Sequence, residues 1–143
     1  MEKFQSVEQV NSRLGEVERV FSRISELNQR AFSLTRDIQN LFDIWGEQVT
    51  EQKNPDNRFY QEKKERKEEI NGDIQREIQK INEMGGIVKD IQKGLVDFYL
   101  EHDGDGIYLC WKLGDEKIKF WHPIKGGFAA RRPLTELLQA SYV

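Results

Sequence analysis

Residues 6–49 read SVEQVNSRLGEVERVFSRISELNQRAFSLTRDIQNLFDIWGEQV, and this stretch decides the fold. Apolar residues recur at Val7, Val10, Leu14, Val17, Phe21, Ile24, Leu27, Ala31, Leu34, Ile38, Leu41, Trp45 and Val49. Every step is three or four, the spacing of one face of an α-helix. Two threes in a row, at Phe21, Ile24 and Leu27, are a local irregularity in a coiled-coil-like stripe. Ser6-Val7-Glu8-Gln9 supplies a start signal, with the Ser6 oxygen placed to accept the Gln9 amide hydrogen and Gln9 placed to reach back. A helix from Ser6 to about Val49 is roughly 65 Å long and needs support along its whole length.

The support follows in the sequence. Asn54-Pro55-Asp56-Asn57 breaks the helix. A second helix is predicted from about Asn57 to Met84, stopped by Gly85-Gly86, with a stripe at Phe59, Ile70, Ile74, Ile78, Ile81 and Met84. A short connection makes the two helices antiparallel. Pairing about Asn54 sets Ile70 near Ile38, Ile74 near Leu34 and Ile81 near Leu27. It also sets the charged run Gln61 to Glu69 opposite Leu41, Phe42 and Trp45. Lysine and arginine stems can cover those apolar residues. Otherwise Phe42 and Trp45 form a surface for a second copy or another protein.

Beyond Gly86 the composition changes. Residues 1–86 carry 14 Lys+Arg against 17 Asp+Glu, residues 87–143 carry 8 of each, and eight of the 11 glycines lie between Gly85 and Gly127. Leu95 to Leu100, Gly106 to Leu113 and Lys117 to His122 read as a three-stranded antiparallel meander, with turns at Glu101 to Asp105 and Gly114-Asp115. Alternation puts Val96, Phe98, Leu100, Ile107, Leu109, Trp111, Leu113, Ile118 and Phe120 on a core face. That face is expected to pack on the first helix between Val7 and Phe21. The other face carries Leu95, Asp97, Tyr99, Tyr108, Cys110, Lys112, Lys119 and Trp121. Gly126-Gly127 make a bend, and Pro133 opens a short helix, Leu134 to Gln139. The expected fold is α+β in a single domain, 1–143: a helical hairpin over 1–86 and a small sheet subdomain over 87–143, ending in the short helix.

Composition excludes several classes. Charged residues are 33% of the 143, the net charge is −3, and hydrophobic residues are only 37%, so the core is thin. No stretch reaches the ~20 apolar residues of a membrane helix, and the first residues lack the apolar run of a secretory signal. The lone Cys110 allows no internal disulfide, which points to a cytoplasmic protein. A slightly acidic chain has no overall pull toward nucleic acid or anionic lipid.

The chemistry-bearing candidates are few. Cys110 and His122 are the Cys–His pair nearest to a nucleophile and base, but the alternation above sets them on opposite faces. His102-Asp103-Gly104-Asp105 is too short for a calcium loop and reads as a hairpin turn; convergent zinc ligands are not expected. Asp97 is a carboxylate inside an apolar run, either partnered by Lys112 or Lys119 across the sheet or buried with a shifted pKa. Tyr99, Tyr108 and Trp121 beside Lys112 and Lys119 have the makings of a base-stacking surface, and Arg131-Arg132 precede a helix start that favours anions. The weightier alternative is that Phe128 to Leu138 folds over this face. Phosphate loops, dinucleotide fingerprints and nucleophile elbows are missing from the sequence.

The run Ile87-Val88-Lys89-Asp90-Ile91-Gln92-Lys93-Gly94-Leu95-Val96-Asp97-Phe98 resembles a bacterial family of unknown function, domain-of-unknown-function family 2203. Leu109-Cys110-Trp111, Phe120-Trp121-His122 and Gly127-Phe128-Ala129-Ala130-Arg131-Arg132-Pro133-Leu134 carry the same resemblance, as does Ser6-Val7-Glu8 with Asn11, Leu14, Glu16 and Val17. Gly15 stands where that pattern has proline, and Ala130 where it has glycine. The resemblance implies that Asp97, Trp111, Trp121, His122, Phe128 and Arg132 form the characteristic end of the molecule, and it brings no activity with it.

The functional expectation is a non-catalytic interaction or scaffold protein that self-associates through the helical hairpin, with itself or another protein as partner and no cofactor, metal or membrane. The alternative is a small ligand- or RNA-binding module that uses the aromatic and basic sheet face with Arg131 and Arg132; nucleic acid is the less favoured partner. An enzyme built on Asp97 and His122 comes third and needs a pocket joining the two.

Overall fold

The structure, a computed structural model, describes residues 3–125 and 127–140. Helix α1 spans Val7–Trp45, a 3-10 turn Gly46–Thr50, and helix α2 Asn57–Glu83. Five strands follow: β1 (Gly86–Asp90), β2 (Leu95–His102), β3 (Asp105–Lys112), β4 (Phe120–Pro123) and β5 (Arg132–Pro133). Helix α3 (Leu134–Ala140) closes the described chain. The strands form one antiparallel sheet in the order β1-β2-β3-β4-β5. The fold is α+β, with five strands where three were expected.

The start signal works as expected. Gln9 N–H donates to Ser6 Oγ at 3.2 Å, while Gln9 Oε1 accepts from the Gln5 N–H at 2.7 Å, one residue earlier than a strict capping box. α1 then runs unbroken for 39 residues. It ends at Gly46, whose φ of 62° only glycine adopts without strain, and the chain tightens into the 3-10 turn.

Two compact units divide the chain: Ile24–Arg76, and the remainder, up to Arg23 and from Glu77 onward. In the first of these, Ile24, Leu27, Ala31, Val49, Ile70 and Ile74 are buried. Phe42 meets Tyr60 edge-to-face at 5.7 Å, Trp45 Nε1 donates to Asp56 Oδ2 at 2.8 Å, and Lys63 pairs with Asp37 at 3.1 Å. These contacts centre the hairpin near Thr50 rather than Asn54, because the 3-10 turn belongs to the crossover. The expected mismatch at the tip shrinks accordingly. Phe42 and Trp45 have partners within the chain, and Tyr60 takes the inward position expected of Phe59, which is exposed.

The other unit holds the sheet. Val96, Phe98, Leu100, Ile107, Leu109 and Trp111 are buried together with Val10, Leu14, Val17 and Phe21 of α1. Phe21 packs edge-to-face on Trp111 at 5.8 Å, so the core face does pack on the start of the first helix. Asn11 Oδ1 accepts the Ile118 N–H at 2.8 Å, which fixes the irregular chain between β3 and β4. β1 begins at Gly86 opposite Phe98, and beyond that point Phe4 continues the edge of β2 by bridging to Leu100.

Candidate functional site

The register of three strands builds the site. Asp97 lies directly opposite Cys110, Tyr99 opposite Tyr108, Tyr108 opposite His122, and Cys110 opposite Phe120. Directly paired residues share a face, so Asp97, Tyr99, Tyr108, Cys110, Phe120 and His122 all stand on one side. Leu109 opposite Trp121 places Trp121 on the core side with Phe98.

This corrects three expectations. Phe120, expected on the core face, stands on the Asp97 side opposite Cys110. Cys110 and His122 share a face rather than opposing one another. Trp121 does not join Tyr99 and Tyr108, so the three aromatics form no single stacking surface. The reason is the irregular chain from Leu113 to Lys119. Side chains alternate only along a strand, and parity cannot be counted through a connection that is neither strand nor tight turn. Ile118 is buried as expected, though it lies outside the strand.

Among the described residues, Asp97 and His122 are the buried polar ones, 6% and 2% exposed. His122 Nε2 lies 3.0 Å from Asp97 Oδ2, and His122 Nδ1 lies 2.7 Å from the Pro123 carbonyl oxygen. A carbonyl only accepts, so Nδ1 carries hydrogen and Nε2 is the atom turned toward Asp97. A buried ionisable group is costly unless partnered, and here each has its partner. Burial first, then the charge of Asp97 and a hydrogen bond to it, pushes the Cys110 thiol up to about 12. Cys110 is therefore a protonated donor to Asp97 at neutral pH.

A pocket of about 170 Å³ opens on this cluster. Asp97, Cys110 and His122 line it, with Lys89, Tyr108 and Ile124 around them. Lys89 Nζ sits 5.8 Å from the Tyr108 ring centre, and Tyr99 packs edge-to-face on Tyr108 at 5.9 Å. The pocket joining Asp97 to His122 thus exists.

The remaining candidates scatter. Lys119 pairs with Asp115 at 3.6 Å and Lys112 lies opposite Leu95, while Asp97 is partnered by His122. Arg131 lies over the Phe120 ring at 4.4 Å and Arg132 over Trp121 at 5.8 Å, two rings on different faces. Gly126 and the side chain of Phe128 lie outside the described residues, as do the side chains of Leu138, Gln139 and Ala140. Lys89 is an addition to the sequence candidates, because the strands expected from sequence begin only at Leu95. The β-branched Ile87-Val88 after Gly85-Gly86, with Lys93-Gly94 as the next turn, is the available signal for β1.

A long helical pair followed by an antiparallel meander, with a buried Asp–His pair at a small pocket, defines an α+β protein. The chain belongs to the family described as "Uncharacterized conserved protein (DUF2203)", which matches residues 3–134. No curated protein and no solved structure matches it.

Proposed function

We propose that the protein is a binding module for a small polar ligand or ion, held in the pocket on the Asp97, Cys110 and His122 face. The observation that carries this reading is the placement of a buried Asp97–His122 pair at a pocket instead of in sealed core. A thin-cored chain keeps two ionisable groups and a thiol together where an apolar trio would pack at less cost. Size narrows the occupant. A pocket of about 170 Å³ is well below the roughly 300–1,000 Å³ of drug-sized sites, which favours a few-atom ligand over a nucleotide. The separation of Trp121 from the two tyrosines weighs against stacked RNA. Binding without catalysis fits the protonated thiol and an imidazole with both nitrogens engaged inside the protein. A cytoplasmic setting, favoured by the single cysteine, belongs to the same reading.

A ligand-detected NMR screen of small polar fragments and inorganic ions tests it. Binders should perturb Tyr108, Cys110 and His122 and be lost in Lys89→Ala or Tyr108→Ala. Binders that leave those resonances unmoved would end the reading.

Self-association through the hairpin is the second reading. Phe32, Ile44 and Phe59 are 61%, 70% and 57% exposed in the Ile24–Arg76 unit, an apolar surplus at different residues from those expected. Sedimentation velocity over a hundredfold concentration range decides. A second copy gives a rising sedimentation coefficient that Ile44→Lys with Phe59→Lys abolishes; a constant monomer value removes this reading.

A further inference from the structure

We propose that Asp97, Cys110 and His122 form a three-residue site for a zinc-class divalent cation, bound through one carboxylate oxygen, Sγ and Nε2. This deepens the binding reading above and rests on it.

Geometry carries the inference. One ligand atom from each residue lies within 4.8 Å of the other two, and the three come from three neighbouring strands, β2, β3 and β4. Strand-borne ligands are held more precisely than loop-borne ones. The set of one nitrogen, one oxygen and one sulfur is zinc chemistry; calcium and magnesium take oxygen alone.

A second observation points the same way. Metal-bound histidines donate their other ring N–H to a carbonyl or carboxylate, which fixes the ring and leaves the free nitrogen for the metal. His122 does this with the Pro123 carbonyl at 2.7 Å, leaving Nε2 facing the cluster. That partner is a backbone atom of the adjacent residue, so the ring orientation is built into β4.

The charges balance. Binding M²⁺ sends the Cys110 thiol proton to solvent, so that thiolate, carboxylate and the Nε2 lone pair face the cation. The two anionic ligands then match its two charges. Three protein ligands leave a fourth position, as in zinc sites that admit water or a small anion. All three residues line the pocket, and Lys89 beside it favours an anion there.

Cobalt(II) titration of the tag-free, full-length chain tests the proposal. Cys110 is the chain's one cysteine, so a near-ultraviolet thiolate-to-cobalt charge-transfer band can arise only there. The expected result is that band with intense visible d–d absorption, saturating at one ion per chain and bleached by zinc. Cys110→Ser should lose the band, and Asp97→Asn should weaken affinity by at least about tenfold. Zinc should raise the melting temperature of the native chain and not of Cys110→Ser. A weak six-coordinate cobalt spectrum without the charge-transfer band overturns the proposal, and the native chain alone suffices for that result should a variant fail to fold. If cobalt fails while fragments still perturb Tyr108 and His122, the binding reading stands without the metal; if both fail, both fall.

Discussion

His122 shows how much a single residue is asked to do. Both ring nitrogens are engaged, one by a carbonyl it cannot leave and one by a carboxylate buried beside it. Removing the ring strands Asp97 in an apolar setting. His122→Ala is therefore expected to lower stability by about 3 kcal/mol, more than a surface histidine would, as read from urea unfolding. Cys110 makes a pH prediction. In the unfolded chain its thiol ionises near the ordinary 9.0, and in the folded chain near about 12. Between those values the unfolded state has released a proton that the native state keeps, so rising pH favours unfolding. The contribution is intact below 9 and exhausted above 12. Denaturation midpoints measured from about pH 8 to 11 should fall less steeply for Cys110→Ala than for the native chain. At this scale the sequence is informative about kinds of residue: Asp97 stands out as a carboxylate in an apolar run. Its partner is not legible, because facing positions across strands depend on register.

Elements are the most legible level. The apolar period announces α1 and the Gly85-Gly86 stop announces the end of α2, since both are local features of propensity and capping. The Gly46 break is hidden, because the apolar steps continue to Val49 while the backbone turns. Two glycines give opposed predictions. A Cβ at Gly15 meets nothing within 4 Å, so Gly15→Ala should stabilise α1 by about 1 kcal/mol, measured by thermal unfolding. A Cβ at Gly86 would stand 2.8 Å from Ile81 Cγ2 and 2.9 Å from Val96 Cγ1. Gly86→Ala should cost about 1–3 kcal/mol by the same measurement. The need for glycine at position 86 is a constraint set by Ile81 of α2 and Val96 of β2 that the residues of β1 do not announce.

For the molecule as a whole, the sheet unit is tied to the start of α1 by a polar bond as well as by apolar contact. Ile118 is buried and its N–H has Asn11 Oδ1 as acceptor, across 107 residues of chain. Asn11→Ala leaves that donor without a partner and should cost about 1–3 kcal/mol, while Asn11→Asp should retain most of the stability; chemical denaturation of both variants checks this. The same bond pins the irregular Leu113–Lys119 chain, and that chain sets the parity of β4. Among the described residues no helix is long and apolar enough to cross a membrane, in keeping with the polar composition. By itself, the order of residues determined the helical pair, the meander and the apolar face laid on the start of α1, because periodicity, caps and turn chemistry act over a few neighbours. Which side of the sheet His122 occupies was decided only by the tertiary structure. Asp97, Cys110 and His122 meet through pairings between strands up to 25 residues apart, and an irregular connection hides the count on which any reading of faces depends.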